Sequence, residues 1–262
     1  MQTCAEVPPK GPTTAGDGAP GVGVMDASYA ADRVKRPHLI FRYRARAAMA
    51  AKCFREFGRA AGPARILDLG SADGRAMIEL HGLLGARESV GVEYAAELIA
   101  AAPPMPKGCS LTQGDATKAQ AAAAPGSFDL VTALAVLEHL EDPTELMRRA
   151  REALKPGGLF VASCPSGLWD RISGSLGLHK DEHHTGDFNK ARFESCARAA
   201  GLEPLRYRRF MFAPVGFLPY AKVPVPVGMA LAIDAVLAPI PLVNLGMVNQ
   251  IFAARRPEGG GA

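Results

Sequence analysis

Residues 66–74 read ILDLGSADG, and this stretch decides the fold. An apolar, strand-like run leads into a turn of small residues, and a helical pattern begins at Gly74. Gly70 and Gly74 permit backbone conformations and close approaches that a Cβ atom would obstruct. A strand, a tight turn and a helix in this order indicate an open α/β sheet, in which ligands bind at the carboxyl ends of the strands.

Strand-like and helical segments alternate after this turn. The predicted strands span 64–69, 89–93, 110–114, 128–135 and 158–164. The predicted helices span 74–84, 95–102, 143–154 and 190–200. This alternation predicts a doubly wound α/β fold, in which helices cover both faces of a mostly parallel sheet.

The composition is that of an ordinary globular chain. Apolar residues make up 48% and charged residues 21%, and a net charge of +4 is too small to indicate a nucleic-acid partner. The five cysteines are scattered and form no C-x-x-C pair, which argues against a disulfide framework and a zinc site. No signal peptide or long apolar run is visible, so we expect a cytoplasmic protein.

Composition divides the chain into four segments. Residues 1–27, rich in Pro, Gly and Ala, predict a disordered tail, and residues 28–62 predict an N-terminal helical cap. Residues 63–256 form the main α/β domain, and residues 257–262 form a flexible tail. The main domain includes a proline-punctuated apolar segment, which we call the insertion (residues 211–246).

The insertion precedes the last strand of the predicted sheet. It contains a predicted helix over 227–238, and a closing strand is predicted over 249–254. One hypothesis is that the insertion serves the function of the protein. Packing on the core or forming a dimer interface is the alternative.

Acidic residues accompany the turn and the strand ends that follow it. Asp68 and Asp73 flank the turn, Glu93 ends the second strand and Asp115 follows the third. Two carboxylates beside the turn repel a pyrophosphate but attract a ligand that carries an ammonium and a sulfonium. No P-loop or G-x-G-x-x-G pattern is present, so the charges favour S-adenosylmethionine over NAD.

These residues together resemble the class I S-adenosylmethionine-dependent methyltransferases, and most closely the type 11 group that includes ubiquinone and menaquinone methyltransferases. The resemblance covers residues 64–165 well and 190–200 more weakly. It implies a Rossmann-like methyltransferase fold with a seven-stranded sheet. In that family a D-x-G-x-G-x-G turn wraps the methionine moiety, and Ala72 departs from the middle glycine.

The resemblance also implies which residues bind S-adenosylmethionine. Glu93 corresponds to the residue that binds the ribose, and Asp115 to the residue that binds adenine. The cofactor-binding residues that we predict are Asp68, Gly70, Ser71, Ala72, Gly74, Glu93, Tyr94, Asp115, Ala116 and Leu134.

Three histidines are candidates for the general base of catalysis. His139 follows the fourth strand, and the Glu138-His139 pair resembles the family pattern; a structural role in packing the loop is the alternative. His183 and His184 belong to a polar loop after the fifth strand that either covers the active site or is merely solvated. That loop lacks regular metal-ligand spacing, so we predict no metal site.

We therefore predict an enzyme that moves a methyl group from S-adenosylmethionine to a small-molecule acceptor, by O- or C-methylation. The insertion could form a lid over a hydrophobic or lipid-linked acceptor and contact a membrane face peripherally. The six basic residues between Arg33 and Arg46 would then meet anionic groups, or else form a solvated helix face. Trp169 could stack on a substrate ring or pack within the fold.

Other functions stay open at this point. A methyltransferase acting on RNA or protein is supported only by the basic cluster, and no RNA-binding module or aromatic-basic interleaving is present. A non-catalytic S-adenosylmethionine-binding scaffold is a second alternative, and an NAD-dependent oxidoreductase is disfavoured by the carboxylates at the turn. The sequence leaves the oligomeric state open.

Overall fold

The computed structural model describes residues 27–118, 125–175 and 187–259. The strands are β1 (Arg65–Leu69), β2 (Glu88–Glu93), β3 (Cys109–Gln113), β4 (Phe128–Leu134), β5 (Leu154–Pro165), β6 (Glu203–Phe212) and β7 (Met247–Arg255). The helices are α1 (Ala27–Lys35), α2 (Pro37–Phe57), α3 (Arg75–Leu84), α4 (Ala96–Ala100), α5 (Pro143–Ala153), α6 (Gly167–Ser175), α7 (Lys190–Ala199), α8 (Ala213–Gly216), α9 (Val227–Leu237) and α10 (Pro241–Asn244).

The seven strands form one sheet in the order β3-β2-β1-β4-β5-β7-β6. Strands β1 to β5 are parallel, and β7 runs antiparallel to both β5 and β6. In register, Asp68 of β1 lies opposite Gly91 of β2 and Thr132 of β4, so the carboxyl ends of these strands meet at one edge. The prediction of a doubly wound, mostly parallel seven-stranded sheet is confirmed.

Residues alternate between two apolar layers along each strand, as the pleat requires. One layer contains Leu67, Val131 and Phe160 and is covered by α5 and α7. The other contains Ile66 and Leu130 and is covered by α2 and α3. Because β1 and β4 are apolar on both faces, they occupy the centre of the sheet.

The predicted boundaries differ from the structure most at β5 and at the start of the insertion. Strand β5 begins at Leu154, before the predicted start at Gly158, because Leu154 pairs with Phe128 ahead of an irregularity in the ladder. Strand β6 runs to Phe212, which pairs with Met247, so the first two residues of the insertion belong to the sheet. This long-range pairing is invisible in the local pattern.

The insertion is anchored to the sheet through a buried carboxylate. Asp234 of α9 accepts hydrogen bonds from the backbone N–H groups of Met211 (2.6 Å) and Phe212 (2.9 Å). Ala230 is buried in the same layer as α2, and Leu231 packs against it. The insertion therefore packs on the core with one side. Within the described residues, no helix has the length and hydropathy needed to cross a membrane.

Candidate active site

The turn after β1 is a tight loop held against β2. The backbone N–H groups of Gly70 and Ser71 both donate to the carbonyl of Val92, at 2.8 and 3.1 Å. Gly70 has a φ of +72°, and a Cβ there would lie 2.6 Å from a methyl of Val136. Both observations require glycine at position 70.

Ala72 also adopts the left-handed conformation, with a φ of +50°. An L-residue with a Cβ in this region costs roughly 1–2 kcal/mol, which explains why the family pattern has glycine here. The departure at Ala72 thus has a conformational cost. A hydrogen bond from its N–H to Glu93 holds the residue in place (2.8 Å).

Glu93, at the end of β2, holds the turn through hydrogen bonds to its backbone. One carboxylate oxygen accepts the N–H of Ala72, and the other accepts the N–H of Ala95 at 3.0 Å. Each oxygen of an ionised carboxylate can accept more than one hydrogen bond, so capacity is left for a ligand's hydroxyl groups. Glu93 therefore fixes the loop and can still accept from a vicinal diol.

Asp68 lies buried beneath the turn, where Thr132 of β4 donates to it at 2.6 Å. Burial raises the pKa of Asp68 to about 7, against the Thr132 hydrogen bond and the charge of Arg33, which both lower it. A cation bound beside the turn would favour the ionised carboxylate. This arrangement suits the ammonium of a methionine moiety.

Asp73 does not contribute a free negative charge to the turn, contrary to the prediction. Its buried carboxylate pairs with Arg33 of α1 at 2.9 Å and with Arg75 at 3.0 Å. Two guanidinium groups thus offset the charge of Asp73, and the ion pair attaches α1 to the turn. The preference for a cationic ligand rests on Asp68 rather than on both carboxylates.

Asp115 follows β3 beside the end of β2, and the Gly114 N–H donates to the Glu93 carbonyl at 2.9 Å. The Asp115 carboxylate accepts from the N–H and the hydroxyl of Thr117, at 2.9 and 2.6 Å. Burial raises its pKa, but the hydrogen bonds from Thr117 and the Lys118 ammonium outweigh burial and lower it. The structure therefore brings the two predicted nucleoside-binding acids together on adjacent strands.

The other predicted cofactor residues surround the same edge. The Ser71 hydroxyl is buried and has no hydrogen-bond partner within the described residues, so it can bond to a polar ligand atom. Leu134 ends β4 half-buried, and Ala116 packs against the core. Tyr94 is 62% exposed, and its carbonyl accepts from the Gln113 amide at 3.2 Å. Whether these side chains contact the cofactor stays a prediction.

His139 lies in a single turn of 3-10 helix (Leu137–His139) directly after β4, which neighbours β1. Its side chain is half-buried at the carboxyl edge of the sheet, where the sequence predicted it. His183 and His184, the other candidate bases, lie outside the described residues. Among the three candidates, the structure thus describes only His139.

Sequence reasoning missed a polar cluster on the β5 side of this edge. Glu138 is buried. The burial of the Cys164 thiol is the main cause that raises its pKa well above the usual range, and the negative charge of Glu138 is the next. Arg46 of α2 donates to the side-chain oxygen of Asn249 in β7 at 3.3 Å. These residues are far apart in sequence. The motif Glu138-His139 and the basic cluster gave a signal for Glu138 and Arg46, and no local pattern indicated that the four residues meet.

Trp169 on α6 contacts the insertion. Its indole N–H donates to the carbonyl of Leu245 (2.9 Å), and its ring lies 5.9 Å from that of Phe217. These contacts favour the packing role that the sequence left open for this residue.

The stability of the protein should depend on pH through Asp68. Since its pKa of about 7 in the folded state exceeds the ordinary 3.8, the folded protein binds the extra proton. The resulting stabilisation is complete below about pH 4 and is lost as the pH rises through 7, by up to about 4 kcal/mol. Denaturant titrations of the ligand-free protein between about pH 5 and 8 should show this fall, and Asp68→Asn should flatten it.

Asp115→Asn is the matched control, because the pKa of Asp115 is lowered and its titration lies outside that range. Equal slopes for the wild type and Asp68→Asn would contradict the assignment of the raised pKa to Asp68.

The residues of this edge fit S-adenosylmethionine. The glycine turn leaves room for the cofactor to approach the backbone closely, and Asp68 suits the ammonium of its methionine moiety. Glu93 can accept hydrogen bonds from the ribose diol, and the ionised carboxylate of Asp115 lies on the neighbouring strand end. The buried Ser71 hydroxyl is available to a polar ligand atom.

Comparison with known proteins agrees with this geometry. A methyltransferase-domain family model matches residues 40–207. A ubiquinone biosynthesis O-methyltransferase from Xanthomonas euvesicatoria is 35% identical over 156 residues, covering 53% of this chain and 63% of that protein. One from Cereibacter sphaeroides is 33% identical over 164 residues, covering 58% and 66%. The chain thus spans slightly less than two thirds of the length of these relatives.

The fold is shared with solved methyltransferase structures. Haemonchus contortus phosphoethanolamine N-methyltransferase 2, in complex with S-adenosylmethionine, superposes with a TM-score of 0.56. The two chains are 18% identical, and the match covers 90% of this chain and 61% of the other. The family match spans the cofactor turn, the acidic strand ends and His139, and it confirms S-adenosylmethionine as the cofactor. The chain belongs to the methyltransferase-domain family.

Proposed function

We propose that the protein transfers the methyl group of S-adenosylmethionine to a hydroxyl oxygen of a hydrophobic small molecule. The observation that carries this proposal is the 35% identity with a ubiquinone biosynthesis O-methyltransferase. Ubiquinones are ring compounds with long apolar tails, so an acceptor of that kind is a ring hydroxyl on an apolar molecule. The polar cluster next to an apolar insertion supports the same chemistry.

The side chains at the carboxyl edge divide between binding and proton transfer. S-adenosylmethionine, when bound, supplies an electrophilic methyl group on a sulfonium. Asp68, Glu93 and Asp115 would hold the cofactor, so that its methyl group would be presented to the acceptor oxygen while the sulfur leaves as the thioether of S-adenosylhomocysteine. His139, one strand away from Asp68, accepts the proton of the acceptor hydroxyl as its oxygen attacks.

The acceptor lies on the β4–β5–β7 side of the edge in this proposal. The nucleoside acids Glu93 and Asp115 occupy the β2–β3 side, whereas His139 follows β4 and Asn249 lies near the start of β7. Strand β7 is antiparallel, so its beginning lies at the carboxyl end of β5. The insertion enters and leaves the sheet at this place, which puts apolar surface near the acceptor.

We also propose that the insertion contacts a membrane surface peripherally. Its outward side exposes Leu218, Val223, Met229, Val236, Ile240, Leu242 and Leu245, of which Val236 and Leu242 are 74% and 79% exposed. The charged residues of the insertion are Lys222 and Asp234, and Asp234 is buried in its backbone contacts. Exposed apolar residues concentrated in one segment indicate an interaction site, and an acceptor with an apolar tail resides in a lipid phase.

Methyl transfer to catechols tests the proposed reaction. The protein, incubated with S-adenosylmethionine, should methylate a catechol with a long alkyl tail more efficiently than catechol itself, with the methyl group on oxygen. Transfer of the methyl group to a ring carbon instead of the hydroxyl oxygen would show that the reaction is C-methylation and not O-methylation. Binding of S-adenosylhomocysteine without transfer to either catechol, together with transfer to RNA or protein, would favour the macromolecular alternative; no transfer at all would favour the scaffold.

Co-sedimentation with lipid vesicles tests the membrane contact. The wild type should bind vesicles that contain anionic phospholipid, and a Val236→Glu, Leu242→Glu variant should lose most of this binding, because two charges would enter the apolar boundary. Leu83→Glu on α3 is the control, since Leu83 is an exposed apolar residue outside the insertion. Equal binding by all three proteins would exclude the insertion as the contact.

A further inference from the structure

The basic cluster between Arg33 and Arg46 separates in the structure into residues with different surroundings. Arg33 is buried against Asp73. Arg36 pairs with Asp32 at 3.0 Å and Arg44 with Glu79 at 3.6 Å, and both arginines are about half exposed. Arg42 is half-buried and has no hydrogen bond or ion pair within the described residues. The pairs of the other arginines thus leave the charge of Arg42 without a counter-ion.

The direction that Arg42 faces follows from its helical neighbours. Residues four apart lie on one face of a helix, so His38, Arg42 and Arg46 share a face of α2. The His38 ring stacks on the Tyr220 ring of the insertion, with centroids 3.9 Å apart. Arg46 donates to the Asn249 side-chain oxygen at 3.3 and 3.4 Å. Arg42 therefore lies on the face that runs from the insertion to the carboxyl end of β5.

Arg46 belongs to the acceptor side of the active-site edge. Asn249 is 1% exposed and lies opposite Pro165, next to Cys164, in the β5–β7 ladder. The charges of Arg46 and of Glu138, the residue that precedes His139, both act on the Cys164 thiol. Glu93 and Asp115, which serve the nucleoside in the proposed function, lie across the sheet, at the end of β2 and after β3.

The charges on this face do not balance. Glu138 is a buried carboxylate whose charge, like that of Arg46, acts on the Cys164 thiol, whereas Arg42 has no acidic partner within the described residues. Asp234, the acidic residue of the insertion, is occupied by two backbone N–H groups. A half-buried guanidinium without a counter-ion loses hydration that an anionic ligand can replace.

We propose that Arg42 and Arg46 bind an anionic oxygen group, a carboxylate or a phosphate, that the methyl acceptor carries away from its reacting hydroxyl. The inference rests on the proposed function and assigns specificity-determining residues to it. Two planar guanidinium groups on one helix face suit an oxyanion, because each presents a fork of N–H donors. Apolar contacts with the insertion then hold the tail, and the arginines orient the ring.

Equilibrium binding to the S-adenosylhomocysteine complex tests this without turnover. The probes are catechol, which is neutral, protocatechuate, which adds a carboxylate to the same ring, and phenyl phosphate. The wild type should bind at least one charged probe about tenfold tighter than catechol. Arg42→Ala and Arg46→Ala should each lower the affinity for that probe about tenfold and leave catechol within about twofold. The tighter charged probe identifies the anionic group.

Arg44→Ala is the matched control, because Arg44 lies on the same helix but pairs with Glu79 at the surface. It should keep the preference for the charged probe. Arg42→Lys and Arg46→Lys retain the positive charge but lose the planar fork of N–H donors, so they should bind the charged probe with intermediate affinity. If an alanine variant does not bind S-adenosylhomocysteine, the corresponding lysine variant is used in its place. Equal wild-type affinity for charged and neutral probes, or a preference that survives in both alanine variants, would overturn the inference.

Binding and methyl transfer measured on the same protein preparation distinguish a failure of this inference from a failure of the proposed function. If charged probes bind through Arg42 and Arg46 but no methyl group reaches catechol or protocatechuate, the recognition site stands and the proposed reaction fails. If methyl transfer to catechol occurs and the charged probes show no preference, the proposed reaction stands and the inference fails.

Discussion

A Glu93→Ala variant should bind S-adenosylhomocysteine at least about 100-fold more weakly than the wild type. The carboxylate can accept from two ribose hydroxyls, and each hydrogen bond to a charged group contributes roughly 1.5–3 kcal/mol. The variant also removes the acceptors of the Ala72 and Ala95 N–H groups. Ala72 then loses the contact that holds its left-handed conformation, so the binding loop is no longer pre-formed.

Isothermal titration calorimetry measures this effect, with Glu88→Ala as the control. Glu88 begins the same strand and forms a surface pair with Arg65, away from the carboxyl edge. Its removal should leave the affinity within about twofold, since exposed pairs contribute little. A Glu93→Ala variant that keeps wild-type affinity would show that the cofactor's ribose does not reach β2, and the proposed cofactor site would have to move.

Replacing His139 with alanine should lower kcat for methyl transfer to a catechol by about 10²–10⁴-fold, the range that a positioned general base contributes. The affinity for S-adenosylhomocysteine should stay within about twofold, because the acidic cofactor residues Asp68, Glu93 and Asp115 lie on or directly after β1, β2 and β3.

His81→Ala provides the comparison. His81 lies on α3, where its ring nitrogen is 2.9 Å from the Ser89 hydroxyl, and it takes no part in the proposed chemistry. A loss of less than about fivefold for His139→Ala would assign His139 to packing of the loop, and the base would then be sought at His183 or His184.

The sequence predicts well that acidic residues lie at the carboxyl ends of successive strands. Asp68 lies near the end of β1, Glu93 ends β2 and Asp115 follows β3, and parallel strands bring their carboxyl ends to one edge. Local pattern and tertiary arrangement agree there, so the fold and the placement of these three acids at one edge follow from the sequence.

Long-range pairing limits the rest of that prediction. Asp73 looks like a free anion in the sequence, but Arg33 reaches it from α1, forty positions away. Arg46 and Asn249 meet across 203 positions, and no periodicity in either segment reveals this contact. Strand β6 extends into the insertion for the same reason, because Phe212 pairs with Met247 of β7.

The antiparallel ladder between β6 and β7 closes the insertion at its base. Phe212 and Met247 are paired neighbours, so the two ends of the insertion meet however many residues lie between them. Doubling the length of such a loop costs only about 0.6 kcal/mol of closure entropy. Evolution can therefore exchange this hairpin loop, and with it the surface offered to the acceptor, while the strands that hold the cofactor stay as they are.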